Sequence, residues 1–168
     1  RSFKKDSVFF DIGANVGMYT IFAGCITQAK IYSFEPEANN FQILMENIVI
    51  NNLTNQVIAY PIGISDVSAF TTLHMGKFDK GSSHNMVGES LDHNLQKKNT
   101  VYKQGIFSTS LDELISLWGI PIPNYLKIDV DGIEYKIIEK SKNLLSNKEL
   151  LSVLIEINPN RDEDKKMI

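Results

Sequence analysis

Val8-Phe9-Phe10-Asp11-Ile12-Gly13-Ala14-Asn15-Val16-Gly17 is the stretch that decides the fold of this 168-residue chain. The apolar run over 8–12 reads as a buried strand, since strands covered on both faces are near-continuously hydrophobic. Glycines then allow a sharp turn, and a helical stretch follows over 16–27. An open parallel sheet binds its ligand at such a place, in the crevice beyond the carboxyl ends of its strands. A dinucleotide turn would read G-x-G-x-x-G and rest a pyrophosphate on the helix N-terminus. Here Asn15 and Met18 stand at the second and third glycine positions. What remains is an acid followed by G-x-N-x-G. It suits a ligand without phosphates, whose amino group and sulfonium tolerate a nearby carboxylate: S-adenosylmethionine. For this segment alone, a tight turn that binds nothing is the competing reading.

Outward from this turn, a second strand over 30–34 ends at Glu35-Pro36. A helix over 38–50 carries Phe41, Leu44, Met45 and Ile48 at helical spacing, and 57–62 is a third strand. Such alternation implies a parallel sheet with right-handed crossovers. Residues 65–108 depart from it. Two hairpin arms, 69–74 and 100–107, flank a long polar stretch, which reads as a substrate-side insertion. The alternation then resumes. Ser110-Leu111-Asp112-Glu113 forms a capping box for a helix to about Trp118. A strand over 125–129, a helix over 133–145 and a strand over 151–157 follow. After Asn158-Pro159 a charged tail opens another helix. The expected class is α/β: a doubly wound, mostly parallel Rossmann-like sheet with a β-hairpin insertion between its third and fourth core strands. One domain is expected over 1–168, stopping short of the C-terminal strands with which a doubly wound sheet would continue.

Hydrophobic residues at 43% and charged residues at 22% are ordinary for a globular protein. A net charge of -3 argues against a nucleic-acid partner, which would require clustered Lys and Arg. No apolar run approaches the roughly 20 residues of a membrane span. Cys25 is the only cysteine, which excludes an internal disulfide; within its helix it reads as a buried structural thiol, and the expected location is cytoplasmic.

Glu35 closes the second strand at about the distance from Gly13, some 20 residues, at which a carboxylate accepts hydrogen bonds from a ribose diol. With the glycine turn it forms the strongest signal in the chain. After the third strand, Asp66 in Gly63-Ile64-Ser65-Asp66 reads equally as an acceptor for an adenine amino group or as a turn former. Asp131 and Glu134 have the spacing of a reciprocal helix cap. Asp129 closes an otherwise apolar strand, and Glu156 lies between Ile155 and Ile157 in the last. Methyl transfer to a hydroxyl needs alignment and a proton acceptor. Asp129 is the first candidate base, with Glu156 and His84 behind it; His74 and His93 read as surface residues. Asp129 and Glu156 could instead hold a divalent cation, but no metal is assigned.

The sequence resembles the FkbM family of methyltransferases. The resemblance rests on 8–17, Phe34-Glu35-Pro36, Ser110-Leu111-Asp112-Glu113-Leu114, Leu126-Lys127-Ile128-Asp129-Val130-Asp131-Gly132-Ile133-Glu134 and Leu154-Ile155-Glu156, in the family's order. It implies a class I methyltransferase fold with S-adenosylmethionine as cofactor. It also implies O-methylation of a sugar, glycolipid or polyketide-like hydroxyl, with a small-molecule or glycan acceptor as partner. By position it assigns Asp11, Gly13, Asn15, Gly17 and Glu35 to the cofactor, and Asp129, Glu134 and Glu156 to the reaction centre. Where the family often has a histidine after its last matched strand, this chain has Asn158. A non-catalytic domain that binds S-adenosylmethionine and an NAD-dependent oxidoreductase are the alternative readings.

Overall fold

The computed structural model describes residues 3–4, 6–75, 86–87, 102–130, 132–158 and 161–165. The chain opens with β1 (Val8–Ile12), α1 (Met18–Ile26), β2 (Lys30–Phe34), α2 (Ala38–Ile50) and β3 (Val57–Tyr60). The middle holds β4 (Gly63–Ile64), β5 (Ala69–Met75), β6 (Met86–Val87) and β7 (Tyr102–Thr109). It closes with α3 (Leu111–Ser116), β8 (Tyr125–Ile128), α4 (Glu134–Glu139), α5 (Lys142–Leu145), β9 (Ser152–Ile155) and α6 (Asp162–Lys165).

The main sheet has the order β3-β2-β1-β8-β9, and every pairing in it is parallel. From β1 the chain steps outward to β2 and β3, then returns to the other side of β1 with β8 and β9. This reversal of direction separates the loops that leave β1 and β8 and opens a crevice between them. The architecture is α/β and Rossmann-like, as the alternation predicts.

Side-chain alternation divides the core into two layers. Phe10, Ile12, Phe34, Leu126 and Ile128 face Leu111, Leu114, Ile133 and Ile137 on one side. Phe9, Ile31, Val57 and Tyr125 face Ala23, Leu44 and Ile48 of α1 and α2 on the other. The insertion has a sheet of its own, in the order β4-β7-β5-β6. Within it β5 and β7 pair antiparallel from Ala69 opposite Ser108 to Met75 opposite Tyr102. The expected third strand is shorter than 57–62, because Gly63 and Ile64 leave the main sheet to pair with Ser108 and Thr109.

Two expectations need correction. Cys25 is exposed, since α1 buries Thr20, Ala23 and Gly24 and turns Cys25 away from the sheet. The single helix expected over 133–145 is two helices, α4 and α5, with a break at 140–141. The cause is tertiary. Asp112 of α3 accepts from the backbone N–H of Asn143 at 3.0 Å and of Leu144 at 2.9 Å, which starts a second helix beside the first. At the head of α3 the Ser110 half of the expected box forms, with the Glu113 N–H donating to Ser110 Oγ at 3.3 Å, while the Glu113 carboxylate accepts from the hydroxyls of Ser110 and Ser68.

Asp112→Ala should cost about 1 kcal/mol, the usual worth of a helix cap, in urea unfolding. Glu139→Ala at the exposed end of α4 should fall within about 0.5 kcal/mol of the wild type.

Candidate active site

The carboxyl ends of the main-sheet strands form a row. Along the sheet order come Glu35 after β2, Gly13 after β1, Asp129 after β8 and Glu156 after β9. Each strand end is tied to the next by backbone hydrogen bonds: Gly13 N–H to Phe34 O at 3.0 Å, Asp129 N–H to Ile12 O at 3.1 Å and Glu156 N–H to Ile128 O at 3.1 Å.

Gly13 has φ +71°, and a Cβ there would lie 1.9 Å from the carbonyl oxygen of Asp129. Glycine is therefore required by the close passage of the backbone that follows β8. Asn15 and Gly17 also have positive φ, at 51° and 93°. At Gly17 a Cβ would meet the end of the Leu44 side chain at 2.6 Å.

Glu35 is 6% exposed. Its Oε2 accepts from Asn15 N–H at 2.8 Å and its Oε1 from Glu37 N–H at 2.9 Å. Each carboxylate oxygen has a second lone pair beyond these bonds. Burial pushes the carboxyl up to about 7 from its ordinary 4.5, against the lowering pull of the Glu37 and Asn15 amides. Glu37 caps α2, accepting from Asn39 and Asn40 N–H. Gln104 of β7 holds the same turn from the insertion: its Nε2 donates to Pro36 O at 2.7 Å and its Oε1 accepts from Ala38 N–H at 3.1 Å.

Asp11 lies one level below the row and is fully buried. Strand register places it between Ser33 of β2 and Lys127 of β8. Its Oδ2 accepts from Thr20 Oγ1 at 2.6 Å, Thr20 Oγ1 lies 2.7 Å from Ser33 Oγ, and its Oδ1 lies 3.2 Å from Lys127 Nζ. Asp11 is thus engaged by protein groups on both oxygens, beneath the turn. Neither Lys127 nor Thr20 was singled out from the sequence. The available signal was a lysine inside the strand Tyr125–Ile128, where every residue is buried.

Asp129, Glu134 and Glu156 come together, with one carboxylate oxygen from each within 4.8 Å of the others. The three differ in surroundings. Glu134 is buried, and its Oε1 closes the turn backward by accepting from Val130 N–H at 3.0 Å and Gly132 N–H at 3.2 Å. It therefore staples the loop, where the sequence suggested a reciprocal cap with Asp131; Asp131 itself lies outside the described residues. Asp129 has a side chain 42% exposed and Glu156 is exposed, so these two acids face the crevice. Asp66 is half-buried in the bend after β4, on the insertion's sheet. His74 sits in β5 opposite Lys103. His84 and His93, with the polar stretch between the hairpin arms, lie outside the described residues.

The methyltransferase FkbM domain profile matches residues 11–168. The chain is 27% identical over 159 residues to the hexuronic acid methyltransferase AglP of Haloferax volcanii. That match takes in 95% of this chain and 59% of AglP, so the chain spans little more than half the length of this relative. Among solved structures it is similar to the precorrin-6y C5,15-methyltransferase of Geobacter metallireducens GS-15, with 16% identity and a TM-score of 0.51. There the likeness covers 94% of this chain and 58% of the other, and it concerns the fold. No helix among the described residues is long and apolar enough to cross a membrane.

Two outcomes follow from this geometry. Gly13→Ala should destabilise the fold by more than the ~1–3 kcal/mol of a strained backbone, because backbone of β8 must also move. Gly17→Ala should cost less, since only a side-chain end must yield; paired denaturation curves give the order. The second concerns pH. The folded chain retains a proton on Glu35 that the unfolded chain releases between pH 4.5 and about 7. Its contribution to stability should therefore decline as pH rises through that window and level off above it. Glu35→Gln should flatten that slope in melts recorded from pH 5 to 8.

Proposed function

This chain belongs to the methyltransferase FkbM family, and from that premise we propose that it binds S-adenosylmethionine along the row of strand ends and methylates a sugar-like hydroxyl. The observation that carries the reading is Glu35. Its carboxylate is held at both oxygens by backbone N–H groups and keeps two lone pairs for a pair of ribose hydroxyls. A buried acid in need of further donors fits the diol of an adenosine.

Bound there, S-adenosylmethionine supplies a methyl carbon activated by its sulfonium. The chain's own residues do the rest. Gly13, Asn15 and Gly17 shape the turn over which the cofactor lies, and Asp11 supports that turn from below. Asp66, from the insertion's edge, is assigned to the adenine end. Asp129 is assigned the proton of the acceptor hydroxyl, since its carboxylate is open to the crevice and backed by the protein. Glu156, beside it, orients the acceptor. Alignment of nucleophile, methyl and leaving sulfur supplies most of the acceleration, on the order of 7–11 kcal/mol in well-oriented systems. The sugar-like acceptor is supported by the likeness to AglP, whose name specifies a hexuronic acid.

Calorimetry with S-adenosylhomocysteine is the test. Micromolar binding is expected in the wild type at pH 8, weakened at least tenfold, or roughly 1.4 kcal/mol, in Glu35→Gln. Wild-type affinity should also fall as pH drops below about 7, where Glu35 takes up its proton. An absence of binding by folded protein carrying the family's full length would overturn the reading. Given binding, turnover on a glucuronide glycoside should yield a methyl ether resistant to mild alkali. An alkali-labile ester would move the acceptor atom from hydroxyl to carboxylate.

A further inference from the structure

We propose that Lys127 is a positioning residue that sets the charge and orientation of Asp129 toward the sulfonium end of the cofactor. The proposal rests on the reading above, in which the ribose on Glu35 directs the rest of the cofactor along the row toward Asp129.

Lysine is almost never fully buried unless it is paired, and Lys127 is 4% exposed. Its ammonium has three protons to donate and four oxygen neighbours. Gly13 O lies at 2.8 Å, Asp11 Oδ1 at 3.2 Å, Ile12 O at 3.3 Å and Asp129 Oδ2 at 3.5 Å. The ring of Tyr19 in α1 covers a further side, with its centroid 5.3 Å away. The first three partners belong to β1 and the cofactor turn. The fourth is the acid at the reaction centre.

This arrangement does two things. Lys127 fixes the carbonyl of Gly13, whose own position is already limited by the carbonyl of Asp129, so turn and acid are set against each other through one cation. It also holds Oδ2 of Asp129 on its inner side, on a side chain that is 42% exposed. Because Asp129 is the most distant partner and the only one on an exposed side chain, it stays able to exchange contacts with a ligand.

The charges give a test that needs no acceptor. Asp11, Lys127 and Asp129 together carry one net negative charge. Removal of Lys127 leaves two, removal of the Asp129 charge leaves none, and removal of both restores one. A cation placed beside them should follow that order, whereas a neutral ligand of the same shape should not. S-adenosylhomocysteine has a neutral sulfur. Sinefungin carries a protonated amine at the position of the reacting methyl.

The experiment is calorimetric titration of both ligands into the wild type, Lys127→Met, Lys127→Arg, Asp129→Asn and the Lys127→Met/Asp129→Asn pair, each first shown folded by its thermal melt. The ratio of sinefungin to S-adenosylhomocysteine affinity should rise about tenfold in Lys127→Met, the scale of one unit charge a few ångströms away at a partly screened site. It should fall by a similar factor in Asp129→Asn and return to the wild-type value in the pair and in Lys127→Arg. Lys127→Gln, which can still donate to Gly13 O, replaces the Met variant where that one fails to fold. A purely structural lysine would weaken both ligands alike and leave the ratio unchanged, and that result would overturn the proposal. If the wild type binds neither ligand, the cofactor reading itself fails and takes this inference with it.

Discussion

The pairing of Asp11 with Lys127 is the interaction on which the rest of the site depends. Parallel register sets Ser33, Asp11 and Lys127 side by side on the α1 face of three adjacent strands, with Thr20 of α1 joining the first two. Below this polar line the same face is apolar, formed by Phe9, Ile31 and Tyr125. The line thus divides an apolar core from the row of strand ends. Replacing a buried ion pair with apolar groups is often neutral, but removing one partner commonly costs about 3–5 kcal/mol. The pair is therefore better understood as fixing where the turn and Asp129 sit than as a source of stability. It can do so only because β1 and β8 are neighbours, which is a property of the topology.

The parts of this architecture legible in the sequence were those governed by local rules. A strand followed by glycines, an acid at the end of the next strand and strict alternation yield the parallel sheet and the position of Glu35. The 38–50 helix was readable from the helical spacing of Phe41, Leu44, Met45 and Ile48, whereas its cap by Glu37 emerged only in the structure. What escaped reading was set by contacts distant in sequence. The break between α4 and α5 is imposed by Asp112, some 30 residues earlier. Gly13 is needed because Asp129, more than 100 residues later, passes within a Cβ's reach. The exposure of Cys25 depends on which face of α1 meets the sheet, and the apolar residues on both sides of that helix leave the choice open. Lys127 has the same character: its meaning lies wholly in the register of β8 against β1.

The insertion is more than an appendage on the sheet edge. Its long β5–β7 pairing makes an antiparallel arm, and Gln104 on that arm holds the backbone of the turn between Glu35 and α2 through both ends of its amide. A side-chain amide that both donates to Pro36 O and accepts from Ala38 N–H imitates a strand partner for a segment that has none. The element between the two halves of the parallel sheet is thereby joined to the loop that carries Glu35. Through these two bonds β7 is tied to Pro36 and Ala38, next to Glu35 in the chain.

Glu35 presents the opposite balance from Asp11. Asp11 is buried with a lysine opposite and a hydroxyl on its other oxygen, so its charge is compensated within the fold. Glu35 is nearly as buried, but its compensation consists of two amides and the more distant Lys127, and desolvation still dominates. A fold selected only for stability would replace such an acid with a neutral acceptor of the same shape. On the proposed reading its place at the end of β2 suits a ligand with a diol, whose donors would favour the ionised form that burial opposes. On that reading the same burial would strengthen each bond made to the carboxylate, because those bonds form in a poorly solvated place. The reluctance of Glu35 to ionise and the proposed preference for a hydroxyl-bearing ligand are in this way two consequences of one desolvated carboxylate.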